Sequence, residues 1–205
     1  MYLSNLNLNP RSRQANIDKG NPYELHRSLM LAFPAFDHEE ERVLFRLETG
    51  PANQVLVQST LNPDWSRLAK NYLVKPPEIK TLDLAFEPGQ GLRFRLRANP
   101  SKRDPKSHKR VGIYSEADCL SWLRRKGEQH GFSFEPEDVA VMGTLWRQFP
   151  LGSKEGGQRR QATFNFQDFN GQLRVVDPER FLESVRQGIG PAKGLGCGLL
   201  SLAKV

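Results

Sequence analysis

The sequence predicts an α+β protein built from two β-α-β-β-α-β units in tandem, a ferredoxin-like arrangement used twice. Three observations lead there. The chain has 205 residues, room for two halves of about 100 residues each. Period-two and period-four apolar patterns follow one another in the same order twice, without a repeat of the residues themselves. A polar, basic, proline-containing stretch divides the two passes, so the expected parts are 1–98, a basic linker at 99–110, and 111–205.

In the first pass, Tyr2 to Leu8 reads as a strand and residues 9–20 as a basic loop. A helix start follows, because Asn21 suits the cap, Pro22 the first helical position, and Glu24 lies three residues after the cap. Leu25, Leu29 and Phe33 form an apolar stripe that Pro34 ends. Arg42–Glu48 and Gln54–Thr60 read as paired strands, Pro63–Leu68 as a short helix, and Leu92–Ala98 as a strand with Arg93, Arg95 and Arg97 on one face. In the second pass, Val111–Tyr114 is a short strand, and Ser115 with Asp118 opens a helix ending at His130-Gly131. Phe132–Phe134, Val139–Phe149, Ala162–Phe169 and Leu173–Val176 supply sheet, with a Gly-rich turn at Gly152–Gln158. Asp177-Pro178-Glu179 begins a helix that turns Phe181, Val185 and Ile189 inward, and Leu199–Leu202 closes the sheet.

Hydrophobic residues at 38% and charged residues at 26% place the chain among globular proteins, not disordered ones. No apolar run approaches the roughly 20 residues of a bilayer helix, and Met1 leads into a mixed polar segment without a signal-peptide core, so neither a membrane nor a secreted protein is expected. Cys119 and Cys197 are far apart and outside any C-x-x-C pair, which points to a reducing cytosol. Thirty Lys and Arg against 23 Asp and Glu give +7, a field that favours polyanions. The excess is concentrated between Arg93 and Arg110, where eight cations face only Asp104.

The four histidines are scattered without an H-x-x-x-H or H-E-x-x-H pair, and neither a G-x-S-x-G elbow nor a G-x-x-x-x-G-K-[ST] loop occurs. Metal hydrolysis, serine hydrolysis and P-loop chemistry therefore have no support. His26 and Tyr23 are three apart on the first helix and share a surface. A free imidazole exchanges a proton near neutrality and a phenol orients by hydrogen bonding. Those are the parts needed when a ribose 2′-hydroxyl attacks its own phosphate; the same two residues also suit an ordinary half-buried helix face. Arg93, Arg95 and Arg97, with Lys102, Arg103, Lys109 and Arg110, favour nucleic acid over a merely solvated strand face. Arg124-Arg125-Lys126 stays ambiguous, because a helix C-terminus attracts cations anyway. Lys154, Arg159 and Arg160 flank a glycine-rich tip that suits a groove or phosphates. The stretch Gly188–Leu202 is dense in glycine around Lys193, which lets backbone N–H groups approach a phosphate. A strand and not a helix follows it, against a dinucleotide fold.

Four segments, N-P-Y-E-L-H-R at 21–27, L-R-F-R-L-R-A-N-P at 92–100, V-D-P-E-R at 176–180 and the spaced glycines of 188–201, together closely resemble the CasE-type CRISPR-repeat endoribonuclease family of the type I-E Cascade complex. The resemblance implies a tandem RRM-like fold and a cytoplasmic, metal-independent RNase without a cofactor. It implies cleavage of the precursor transcript at the 3′ base of the repeat hairpin, leaving a 2′,3′-cyclic phosphate and a 5′-hydroxyl. The product would stay bound beside the other Cascade subunits. Catalytic roles carry over to Tyr23 and His26, whether as acid or base being left open, and the Gly-rich loop to Gly188–Gly198 with Lys193, Gly194 and Gly196 as RNA contacts. Arg27 joins them, and Lys154, Arg159 and Arg160 correspond to a hairpin that grips the stem. The rival reading is a non-catalytic subunit that holds an RNA hairpin; a DNA-binding architectural protein is a third.

Overall fold

Helices and antiparallel sheets share the chain, as the α+β reading requires. The computed structural model describes residues 1–37, 39–48, 53–106, 108–151 and 160–205. It divides into one unit of Met1–Leu84, Arg186–Gly188 and Ala192–Leu199, and another of Ala85–Val185, Ile189–Pro191 and Leu200–Val205. No helix among the described residues is long and apolar enough to cross a membrane.

The first unit contains β1 (Tyr2–Asn7), α1 (Arg13–Gly20), α2 (Pro22–Met30), β2 (Val43–Leu47), β3 (Gln54–Ser59), a 3-10 turn (Trp65–Arg67) and β4 (Glu78–Thr81). The strands lie in the order β2-β3-β1-β4, every neighbour antiparallel. Strand alternation turns Ser4 and Leu6 inward from β1, where Ser4 Oγ accepts a 3.1 Å bond from the buried Trp65 indole and so satisfies both groups. Leu25 and Leu29 of α2 are fully buried against this sheet's core, each contributing about 1.5–3 kcal/mol of transfer free energy.

Two expectations need correcting here. Residues 9–20 are not all loop: Ser12 caps α1 by accepting from Ala15 N–H, and Ala15 and Asp18 are buried. The helix escaped periodicity because its inward face is one small residue and one carboxylate. The short helix at 63–68 is a single 3-10 turn, too brief to be a second crossover helix.

The second unit begins with β5 (Gly91–Ala98), β6 (Ser101–Arg103), β7 (Arg110–Gly112) and α3 (Glu116–His130). It continues with β8 (Phe132–Ser133), β9 (Val139–Leu151), β10 (Arg160–Val175), α4 (Pro178–Gln187, whose last two residues count with the first unit) and β11 (Leu200–Lys204). Its sheet runs β11-β5-β10, with β8 and β9 paired in succession along β10. Trp122 of α3 stacks on Phe169 of β10 at 6.0 Å, and Phe181 of α4 packs between Phe86 and Phe132.

The strand at 92–98 is therefore not the last of the first unit. It pairs with β10 and β11 and opens the second sheet, because its hydrogen-bonding edges meet residues 167–174 and 200–204. The expected boundary at 99–110 moves accordingly to the region of Leu84. The supposed linker is itself folded, as the β6–β7 hairpin pairing Ser101–Arg103 with Arg110–Gly112. The two stretches read at 162–169 and 173–176 are one strand, β10, bent by a register shift at Gln167/Asp168.

Candidate active site

Asn21 does two jobs. Its N–H bonds the carbonyl of Asp18 at the end of α1, and its Oδ1 accepts from Tyr23 N–H at 3.0 Å, starting α2. Glu24 does not reach back to close a capping box; its carboxylate pairs with Arg27 at 3.1 Å across the helix surface. The turn geometry thus sets Tyr23 and His26 on one side of α2, where both line an open cleft of about 780 Å³ with Arg27, Ser28, Leu31 and Tyr72.

His26 is half-buried and held on two sides. Its ring stacks on Phe45 of β2, with centroids 5.9 Å apart and planes 12° from parallel. Its Nδ1 has no accessible surface, while Nε2 is the ring nitrogen beside the Gly-rich loop. A Cβ placed on Gly194 would stand 3.6 Å from Nε2, in ordinary contact with the ring, so the loop backbone lies one methyl group's width from the imidazole. The loop is shaped by Ala192 at φ +65°, a 3-10 turn over Lys193–Leu195, and Gly196 at φ +84°, where a Cβ would come within 3.3 Å of the Phe45 ring. A stacked imidazole beside the partly exposed Gly194 and Lys193 is an arrangement suited to moving a proton next to an anion.

Two arginines of the first unit, unmarked at the level of motif, bind this C-terminal segment. Arg42 Nε donates to Gln187 Oε1 at 2.8 Å, and the buried Arg46 donates to Leu199 carbonyl at 3.3 Å while pairing with Glu48. The loop is anchored at both ends. Phe45 and Arg46 carried only a strand signal in the sequence, because alternation identifies an inward position and not the partner it meets.

The other expected site residues fall into distinct environments. Arg93 is exposed and donates to the Lys204 carbonyl. Arg95 is half-buried at 3.6 Å from Asp168, and Arg97, 7% exposed, holds both Asp168 oxygens at 2.7 and 2.8 Å. The expectation of three outward guanidinium groups is thus corrected: the face is progressively buried along β5, and Asp168 takes up its inner charge. Lys102, Arg103, Lys109 and Arg110 are all exposed on the β6–β7 hairpin. Lys154 and Arg159 lie outside the described residues, and Arg160 is placed only as backbone opposite Leu151. Among the described residues, no three His, Cys, Asp or Glu side chains gather as a metal site would need.

Residues 1–204 match the family model described as CRISPR associated protein. The chain is 44% identical over 212 residues to the CRISPR-associated endoribonuclease Cse3 of Thermus thermophilus, covering 99% of this chain and all of that one. It is 33% identical over 195 residues to the CRISPR system Cascade subunit CasE of Escherichia coli K12, covering 88% and 91%. A solved structure of CRISPR endoribonuclease Cse3 bound to 19 nt RNA superposes with a TM-score of 0.88 at 42% identity, covering 99% of this chain and all of that chain. By whole-length sequence and fold alike, the chain belongs to the CRISPR-associated family of Cse3 and CasE.

Proposed function

We propose that this chain is a metal-independent endoribonuclease that binds the hairpin of CRISPR repeat RNA, cuts the precursor transcript beside it, and stays with the product among the other Cascade subunits in the cytoplasm. The observation that carries the reading is His26, stacked on Phe45 with Nε2 against Gly194 at an open cleft shared with Tyr23. In the reaction the 2′-oxygen forms a bond to the adjacent phosphorus and the P–O5′ bond breaks, giving a 2′,3′-cyclic phosphate. One proton leaves the 2′-hydroxyl and one reaches the departing 5′-oxygen; His26 moves one of them, and Tyr23 orients the reacting phosphate. Lys193 and the loop N–H groups stabilise the charge gathered at phosphorus.

A tandem ferredoxin-like architecture belongs to the same reading. Its support is the shared strand order: fourth, first, third, second, whether counted over β4-β1-β3-β2 or over β11-β5-β10-β9. Arg27, Arg93, the hairpin cations and the segment of Lys154, Arg159 and Arg160 are proposed to hold the RNA, with Arg95 and Arg97 supporting it from behind. The relatives named for endoribonuclease activity and for Cascade, and the RNA-bound neighbour, support the substrate and the assembly.

The test is cleavage of a labelled repeat hairpin in excess chelator by wild type and His26→Ala. Expected are cutting by the wild type, and a loss of about 10²–10⁴-fold in the variant with hairpin affinity retained. Intact RNA in both reactions supports the non-catalytic rival instead. A substrate with sulfur in place of the bridging 5′-oxygen then assigns the role, since restored cutting by His26→Ala marks the histidine as the acid.

A further inference from the structure

The β6–β7 hairpin and the late part of α3 bring together cations that the sequence left in two separate groups. Lys102, Arg103, Lys109 and Arg110 are exposed on the hairpin, and Arg124 and Arg125 are exposed on α3. Ser101 of β6 lines a small recess with Trp122, Arg125 and Lys126 of α3, so the helix and hairpin are neighbours. Lys126 reports the crowding: burial first, then the charges of Arg125 and Arg110, pull its ammonium below the usual lysine range. Acidic residues are few on the hairpin. Between Asn99 and Tyr114 the sequence holds one acidic residue, Asp104, whose carboxylate accepts from Lys106 N–H to shape the turn. Like charges held together by a folded hairpin are stabilised by an anion.

A second feature says which kind of anion. On the other side of Ser101 lies a cleft of about 380 Å³, lined by Asn99, Arg110, Tyr114 and Phe164 among others. Tyr114 is 53% exposed, and its phenol end lies over Gly112, where a Cβ would stand 2.7 Å from the hydroxyl. Its backbone neighbour Ile113 is fixed from both sides, by N–H donation to the Pro100 carbonyl at 3.1 Å and by acceptance from Asn165 Nδ2 at 2.7 Å. An aromatic ring presented from a fixed backbone, beside a recess and between cations, suits a base that is splayed out of its helix. A duplex would offer phosphates and 2′-hydroxyls to the cations and nothing to fill the recess.

We propose that the β6–β7 hairpin and the adjoining face of α3 form a second RNA-contact surface, which takes an unpaired segment of the transcript with Tyr114 as a stacking platform. This rests on the reading of the chain as an RNA-processing protein, and adds to it a binding site and a preference for single-stranded RNA.

The test compares two repeat RNAs, one with unpaired flanks on both sides of the hairpin and one trimmed to stem and loop. Both carry a 2′-deoxyribose at the cut so that neither is consumed. Affinities are measured for the wild type, Tyr114→Ala, Tyr114→Phe and a triple Ala variant of Lys102, Arg103 and Arg110. The wild type is expected to bind the flanked RNA more tightly. Tyr114→Ala should weaken that RNA by about 5–100-fold and leave the trimmed one unchanged, while Tyr114→Phe, which keeps the ring, binds both as wild type. The triple variant should lower the salt slope for the flanked RNA by about 2. Equal wild-type affinity for the two RNAs, or equal loss on both in Tyr114→Ala, overturns this inference and leaves the endoribonuclease reading standing. Binding of neither RNA overturns both.

Discussion

Two groups of residues look equally functional in the sequence and are treated oppositely by the fold. Tyr23, His26 and the Gly188–Gly198 loop are separated by about eight-tenths of the chain, yet Gly194 lies against His26, which lines a cleft with Tyr23. Arg93, Arg95 and Arg97 are adjacent on one strand, yet they are divided by burial and by Asp168, a residue 71 positions beyond Arg97. Closeness in sequence said little about availability. The difference teaches that a polar side chain becomes a binding group only when the interior has no claim on it.

The largest expected effect breaks or upholds that contrast directly. Arg97→Ala leaves the buried Asp168 without its bidentate partner and should cost about 3–5 kcal/mol of folding stability, whereas Arg93→Ala, at an exposed position, should stay within about 0.5 kcal/mol. Denaturant unfolding of both variants measures it. Unchanged stability in Arg97→Ala would return that residue to the pool of surface cations.

On the other side of the comparison, Gly194→Val should slow cleavage about 100-fold by shifting the loop against the imidazole, with hairpin affinity and thermal midpoint near wild type. Gly194→Ala should cut almost normally, since a methyl group at 3.6 Å from Nε2 is an ordinary contact. Single-turnover rates distinguish the two, and a fully active valine variant would detach the loop from the site.

A smaller effect concerns the polar group beneath the cleft. Tyr72 Oη donates to the buried Asp18 at 2.6 Å, and Gln14 donates to the same carboxylate at 2.8 Å. Burial first, and then the Asp18 bond and charge, hold the Tyr72 phenol well above its ordinary value. The unfolded chain therefore releases this proton before the folded chain does. The contribution to stability is intact below about pH 10 and is lost as pH rises beyond it. Tyr72→Phe should cost about 1–3 kcal/mol at neutral pH and flatten the alkaline decline, as urea titrations from pH 8 upward would record. The smallest effect is at Ala192, whose left-handed backbone disfavours an L side chain. Ala192→Gly should gain about 0.5 kcal/mol after glycine's own entropy cost. No gain would mean that the methyl group is useful to the loop.

Legibility followed the range of the interaction involved. Asn21-Pro22 and Ser115 marked their helices because a cap is satisfied within three residues. The alternation of β5 was plain, but its sheet was not, since strand pairing with residues 167–174 and 200–204 is a long-range matter. α1 was missed because Asp18 reads as a surface residue until Tyr72, 54 positions away, is seen to bury it. In the site, the type and spacing of Tyr23 and His26 could be read directly. The stacking on Phe45 and the anchoring of the loop by Arg42 and Arg46 could not.

The amino-acid order alone determined the capped helices, the alternating strands, the basic character and the chemistry available on α2, because caps, alternation and side-chain type act within a few residues. Tertiary structure alone decided which cations stay in water, which strand opens the second sheet, and that a glycine near the end of the chain lies against the imidazole. Those outcomes depend on competition between distant groups for burial and for partners, and that competition exists only once the chain has closed on itself.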